Sequence, residues 1–337
     1  MSFSPSSDSS SRAPRVAIIG AGLAGLTLAR ILVEMGLSVK LFDKGRTPGG
    51  RLSTRRDELG SFDHGAQYFT VRDEGFQRQV DSWREQGIVS EWRGRFGTLG
   101  GGSFTLKSEG PVRYVGVPGM SALAQNFASR LDVREGVRVE HVRREAEAWA
   151  LVSEQGEALG SFHVVVAAVP APQAVALVAG SPELSARVAA VRMEPCWAVM
   201  VSFAAPVPLP VDGAFVHDSP LSWAARDNSK LGRAPGERWV LHASPEFSRE
   251  HLEESPESVA PLLVDAFLRA AGVEARVVKA VAHRWRYATA EPALTEGALF
   301  DEKRGLGVCG DWCAGSRVEG AYLSGMALAR RVAFWKP

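Results

Sequence analysis

An apolar run that breaks into glycines at a fixed spacing constrains this chain more than any other feature. Val16-Ala17-Ile18-Ile19 leads into Gly20, Gly22 and Gly25, and a further apolar run follows to Met35. Residues 15–19 read as a buried strand, 23–35 as a helix closed by Gly36, and 38–43 as the next strand. A strand–helix–strand unit of this length implies parallel strands. Gly20 permits the sharp exit from the strand, Gly22 admits a pyrophosphate against bare backbone, and Gly25 lets helix and strand pack closely. The helix N-terminus offers unpaired N–H groups and a partial positive charge to the phosphates. Asp43 follows Gly20 by about twenty positions, where a carboxylate accepts ribose hydroxyls. Gly20, Gly22, Ala24, Gly25, Asp43 and Lys44 are the first expected cofactor contacts.

Two further segments extend this site. Gly49-Gly50-Arg51-Leu52 follows the acid almost directly. Its glycines allow close backbone approach and Arg51 can neutralise a phosphate or face a flavin, so Gly50, Arg51 and Leu52 join the set. Near the far end, Gly310-Asp311 follows a short apolar strand, 307–310, and precedes a helix expected from about 320 to 334. Asp311 suits ribityl hydroxyls, and the helix start at Glu319, Gly320 and Ala321 can stabilise the negative charge of a reduced flavin. An enzyme using only NAD has no need of that distant element, so the combination argues for FAD. Val137, in a strand expected over 134–141, completes the expected contacts.

The fold class expected is α/β: a Rossmann-type FAD-binding domain with an inserted mixed or antiparallel sheet-plus-helix domain for substrate. The cofactor domain is expected over 14–75, 113–170 and 280–337, and the substrate domain over 76–112 and 171–279. Residues 162–169 read as a further buried strand. In the insertion, 194–203 and 238–244 read as strands. Residues 256–271 read as an amphipathic helix capped by Ser255, with Val259, Leu262, Leu263, Ala266, Phe267 and Ala270 on one face. Residues 97–102 read as a hairpin turn or a mobile flap.

Composition excludes several classes. A net charge of +1 gives no footprint for nucleic acid. No run reaches the roughly 20 apolar residues of a membrane span. Residues 1–13 are Ser-rich without an apolar core, so a disordered tail rather than a secretory signal is expected. Cys196, Cys309 and Cys313 suit reduced thiols in a cytoplasmic protein. No metal site is expected, and oligomeric state is not legible.

The GAGLAGL, GGRLSTR, GVPGM and GDW…VEGAYLSG segments together resemble the FAD-dependent amine oxidase superfamily. Within it, the segments 62–69 (FDHGAQYF), 225–230 (ARDNSK), 239–243 (WVLHA) and 283–287 (HRWRY) resemble the bacterial branch of the renalase group, over nearly all of the chain after residue 13. The resemblance implies a glutathione-reductase-like FAD domain and non-covalent FAD. It implies oxidation of isomeric dihydro-NAD(P), reduced at the wrong ring carbon, with electrons passed to O2 to give H2O2. The alternative is a flavin amine oxidase or related desaturase; a non-enzymatic flavin-binding protein is a third reading. The substrate pocket is expected to draw on His64, Gln67, Tyr68, Arg226, Asn228, His242, Trp285 and Tyr287, with Asn228 and His242 as polar contacts and the aromatics as walls. His242, Trp285 and Tyr287 also suit a purely structural place in the core.

Overall fold

The computed structural model describes residues 14–58, 60–107 and 109–336; the tail expected over 1–13 lies outside the described residues. Arg15–Ile19 runs parallel to both Ser38–Phe42 and Val164–Ala167, within a six-stranded sheet ordered 299–301, 306–308, 164–167, 15–19, 38–42, 133–134. Its first strand is buried on both faces, as an uninterrupted apolar run requires. Val16 and Ile18 face the helices Leu23–Glu34 and Val318–Ala333, while Ala17 and Ile19 face a three-stranded antiparallel sheet carrying Trp149, Leu151 and Leu159. The two helices meet closely because Gly325 has no side chain; a Cβ there would lie 2.4 Å from the Ala24 carbonyl oxygen.

A seven-stranded sheet, ordered 277–290, 193–203, 237–243, 221–226, 213–216, 96–100, 103–106, makes the second layer system. Alternation splits its strands. Val199, Val201, Trp239 and Leu241 face the helix Pro256–Ala271, whereas Met200 and Val240 turn to the opposite side and pack on Phe62. The helix begins as expected, with Ser255 Oγ accepting from the Ser258 N–H at 3.2 Å, and ends at Gly272 with φ 65°. Its buried face holds Val259, Leu263, Ala266, Phe267 and Ala270, but Leu262 is 43% exposed and does not belong to it.

Several boundaries differ from expectation for local reasons. The strand expected over 134–141 is two strands of different sheets, Val133–Arg134 and Val139–Glu145, because Gly136 turns the chain at φ 68°. The glycine-rich 97–102 stretch is a hairpin, with Gly101 and Gly102 at positive φ between paired strands. The last helix starts at Val318 rather than near 320. Residues 280–290 lie in the seven-stranded sheet, not with the cofactor-binding sheet, since Val277–Ala290 pairs along Met193–Phe203. Conversely, the helix Glu74–Glu85 buries Phe76, Val80 and Trp83 in the core under the first helix, and residues 171–191 pack on the parallel sheet.

Candidate active site between the two ends of the chain

The glycine loop, the GGR loop and the far end of the chain converge. Gly49 donates its N–H to the Ala21 carbonyl at 2.9 Å, so the two glycine loops lie side by side. The three glycines of the first loop have separate physical duties. A Cβ on Gly20 would sit 2.4 Å from the Ala168 oxygen and one on Gly25 2.2 Å from the Gly20 oxygen, whereas one on Gly22 would meet no atom within 4 Å. Gly20 and Gly25 are thus bare because protein fills the space, and Gly22 opens onto a space that protein leaves clear. Gly22 is also the N-cap of the first helix, and no side chain caps that end. The start of the helix Val318–Ala333 likewise has no side-chain cap. Unmatched N–H groups beside an open cradle fit the diphosphate of FAD.

Asp43 braces this loop: Oδ2 accepts from the Ala21 N–H at 2.5 Å and Oδ1 from the Gly45 N–H at 2.6 Å. The adjacent Lys44 reaches Gln173 Oε1 at 3.5 Å. Arg51 and Asp311 form a two-pronged ion pair at 2.6 and 2.9 Å, and Arg51 also donates to the Ala288 carbonyl at 2.7 Å. This pair ties the GGR loop to the distant GD turn across the expected cofactor path, with Leu52 buried behind it. Gly320 is held by packing, since a Cβ would lie 2.0 Å from the Gly315 oxygen. The Ala321 N–H is engaged by the Arg317 carbonyl and the Val137 N–H by the Asp43 carbonyl at 2.8 Å. Glu319 is buried, and its Oε1 accepts from the N–H groups of Arg72 and Asp73 at 2.7 and 2.8 Å. Its carboxylate therefore fastens the helix start to the 70–73 loop.

The His64–Tyr68 segment lies directly against the GGR loop, with the Ala66 N–H donating to the Arg51 carbonyl at 2.9 Å. From there it meets the open face of the seven-stranded sheet. The His64 carbonyl accepts from Trp285 Nε1 at 2.9 Å and stands 3.3 Å from His242 Nε2. A carbonyl only accepts, so His242 carries its proton on Nε2. The His64 ring lies 4.8 Å from the His283 ring and 5.1 Å from that of Trp285. Its Nδ1 is buried and has no hydrogen-bond partner among the described residues. Tyr287 is half-buried two positions beyond Trp285, hence on the same face. Tyr68 joins Trp92 and Trp223 at 6.1 and 5.3 Å, with the Arg113 guanidinium 5.2 Å from its ring.

The imidazoles here are neutral. Burial first, then repulsion from a proton on His283 and from the Arg55 guanidinium, push His64 down to about 3; burial pushes His242 down to about 4 and also lowers His283. An unfolded chain binds protons to these rings from an ordinary value of 6.5 downward while the folded one does not. Stability from this source is therefore complete above about pH 6.5 and is lost as pH falls toward 4, at about 1 kcal/mol per pH unit for each ring. Denaturant unfolding of flavin-loaded protein at pH 7 and pH 5 will show the loss, and replacing His64 by Gln will make the pH dependence shallower.

Three expected pocket residues do not line this face. Arg226 pairs across the sheet with Trp239, on the side packed against the 256–271 helix, and its guanidinium is held by Asp212, Glu237 and the Val207 and Leu209 carbonyls. Asn228 sits in a short 3-10 turn and its Oδ1 accepts from the Arg238 N–H at 3.0 Å, fixing the start of the 237–243 strand. Gln67 points inward instead of into an open pocket, donating to the Asp63 carbonyl and accepting from Lys230 Nζ at 3.1 Å.

That contact belongs to a cluster that no pattern in the sequence marks. Lys230 Nζ lies 2.9 Å from Asp227 and 3.3 Å from Asp63, and Arg233 pairs with Asp63; all four side chains are fully buried. Asp63 also accepts from Thr54 Oγ1 and the Met120 N–H at 2.8 and 2.9 Å. Burial alone would raise its carboxyl, but Lys230 and Arg233 hold it below the ordinary carboxylate value; Asp227 is raised, by burial first and by Asp63 beside it. The FDHGAQYF, ARDNSK and GVPGM segments thus meet in one buried ionic knot that joins the two sheets' domains. His283 is a further residue of the site outside the expected set, although two-residue alternation with Trp285 and Tyr287 marks it.

A Rossmann-type phosphate loop closed by the opposite end of the chain, beside a sheet face of neutral imidazoles and aromatic rings, defines a flavin-dependent oxidoreductase that uses FAD. Residues 18–82 match the NAD(P)-binding Rossmann-like domain, and residues 94–333 match the flavin containing amine oxidoreductase family. The chain belongs to that family. It is 44% identical over 61 residues to hydroxyneurosporene desaturase of Rubrivivax gelatinosus, and 49% identical over 47 residues to lysine-specific histone demethylase 1 homolog 1 of Arabidopsis thaliana. Those segments are 18% and 14% of this chain and only 12% and 6% of the two relatives. The fold extends further. A protein assigned as a protoporphyrinogen oxidase from Exiguobacterium sp. 255-15 superposes with a TM-score of 0.78 at 12% identity, over 96% of this chain and 99% of that one. Putrescine oxidase with putrescine bound gives 0.69 at 13% identity, over 95% and 99%. Among the described residues no helix is long and apolar enough to cross a membrane, and no group of side chains could hold a metal ion.

Proposed function

We propose that this enzyme oxidises isomeric dihydro-NAD(P), the 2- and 6-dihydro forms, as the renalase-like motifs imply. The observation that carries the reading is the charge of the open sheet face. Three neutral imidazoles and the Trp285 indole line it, and Asp63, next to His64 in the chain, and Asp227 are fully buried and paired with Lys230 and Arg233. No carboxylate of that knot is left for a substrate ammonium, whereas a flat neutral dihydropyridine suits stacking and hydrogen bonding.

FAD, held non-covalently by Gly22, Gly50, the Arg51–Asp311 pair and the two uncapped helix starts, supplies hydride acceptance and the return of electrons to O2 as H2O2. The chain's own residues bind and orient. Trp285 and Tyr287 wall the ring site. The His64 Nδ1 atom, buried and unmatched, is placed to meet the substrate carboxamide. His242 is tied through the His64 carbonyl and keeps that segment in register with the sheet. A dihydropyridine gains aromaticity as hydride leaves, so no side chain need carry a proton, and imidazoles held neutral are no handicap.

Amine oxidation is the second reading, favoured by family membership and by the Tyr68, Trp92 and Trp223 rings, which are suited to frame an amine. Turnover separates the two. The flavin-loaded enzyme is expected to form NAD+ and H2O2 in equal amounts from the dihydro isomers and no peroxide from a panel of mono-, di- and polyamines. Peroxide from an amine alone would establish the second reading.

A further inference from the structure

From the position of one unmatched cation we infer that Arg55 binds the phosphates of an anionic dinucleotide substrate at the mouth of the site. The inference rests on the proposed reaction and names what recognises the non-reacting end of its substrate. The ribbon formed by Thr54–Asp57 and Gly60–Asp63 meets the edge strand Val277–Ala290 at Lys279 and at Val281, which sets its alignment. Asp57 meets Lys279 at 3.5 Å; Phe62 packs with Val281; and Arg55, directly across the ribbon from Phe62, is close enough to His283 and His64 for its charge to disfavour protonation of both. Residues 279, 281 and 283 share one face of that strand. Arg55 therefore stands at the end of the imidazole–indole wall.

Its neighbours along the strand are neutralised. Lys279 is paired with Asp57 and Glu58, and Arg284 and Arg286 are paired with Glu253 on the opposite face. Arg51 is committed to Asp311. Arg55 is exposed, and its guanidinium makes no ion pair or hydrogen bond among the described residues. A guanidinium in this position offers a two-pronged contact to phosphate oxygens and repels an ammonium, so it favours a dinucleotide over an amine. With the nicotinamide ring against Trp285 and His64, the pyrophosphate extends outward past His283, where Arg55 lies.

The test is calorimetric titration of flavin-loaded protein with NAD+, the reaction product, and with nicotinamide riboside, which has the same ring and no phosphate. Arg55→Ala is expected to weaken NAD+ about tenfold or more and to leave the riboside unchanged. Arg55→Lys is expected to restore part of the loss. Raising salt is expected to weaken NAD+ binding to the parent more than to Arg55→Ala. Equal NAD+ affinity in parent and Arg55→Ala, or an equal loss for NAD+ and riboside, would overturn the assignment. A parent protein that binds neither compound, and whose flavin no dihydro isomer reduces, would instead remove the reaction on which it rests.

Discussion

Gly22→Val protein will fold as the parent does and come off the column colourless. Gly22 has φ −74° and ψ 174°, a conformation open to any residue, and a Cβ there would meet no protein atom within 4 Å. The added methyls instead fill the space offered to the diphosphate. FAD affinity should fall by about 100-fold or more, while the unfolding of apo-protein stays within about 1 kcal/mol of the parent. Gly25→Ala supplies the contrast. Its Cβ would come 2.2 Å from the Gly20 oxygen, so strand and helix must part, and the apo-protein itself should lose about 1–3 kcal/mol. Measuring flavin content and apo-protein unfolding on both variants separates a ligand cradle from a packing glycine. A yellow Gly22→Val protein would show that the pyrophosphate does not lie there.

Lys230→Met should be the most damaging single change outside the glycine loops. It leaves two buried carboxylates, Asp63 and Asp227, facing Arg233 alone. Stranding a buried charge costs about 3–5 kcal/mol, which corresponds to a fall in Tm of about 10 °C. The double variant Lys230→Met/Asp227→Asn keeps one acid with one base, Asp63 with Arg233, and should recover more than half of the loss. Equal Tm values for the single and double variants would mean that Asp227 is not charged beside Lys230 in the folded protein. Because Lys230 also holds Gln67 and the segment leading to His64, the single variant should disturb the flavin's visible spectrum as well.

The cofactor loops are legible in the sequence because their logic is local: a strand, a turn without side chains, a helix start and an acid after the next strand lie within a few dozen residues. The Arg51–Asp311 contact spans 260 positions, and no periodicity links its two halves; each is visible only as a glycine segment after a short strand. The ionic knot is illegible for a different reason. Asp63 and Lys230 are 167 positions apart, and neither sits in a periodic pattern that marks it as buried. Charged residues in glycine- and proline-flanked segments read as solvated turns, and here they close a domain junction. Arg226 and Asn228 fail as pocket residues because a shared motif string says nothing about which side of a strand or turn a side chain takes. Alternation does carry that information. Counting by twos along Val277–Ala290 separates His283, Trp285 and Tyr287 from Arg284 and Arg286, and the structure divides them in the same way.

The exposed edge of the second sheet illustrates the same limit. Phe104 and Leu106 are 44% and 50% exposed, on Ser103–Leu106, the last strand of the sheet, which has a neighbour on one side only. Position in a sheet, unlike membership of one, is set by pairings far away in the chain.

The most direct measurement is a single-turnover spectrum of the yellow protein mixed without oxygen with 2-dihydro-NAD(P), with 6-dihydro-NAD(P) and with amines in turn. The account predicts rapid loss of the flavin's visible absorption with at least one dihydro isomer, stoichiometric NAD(P)+, and no change with amines. Flavin that stays oxidised with both isomers, or that is bleached by an amine instead, would contradict it.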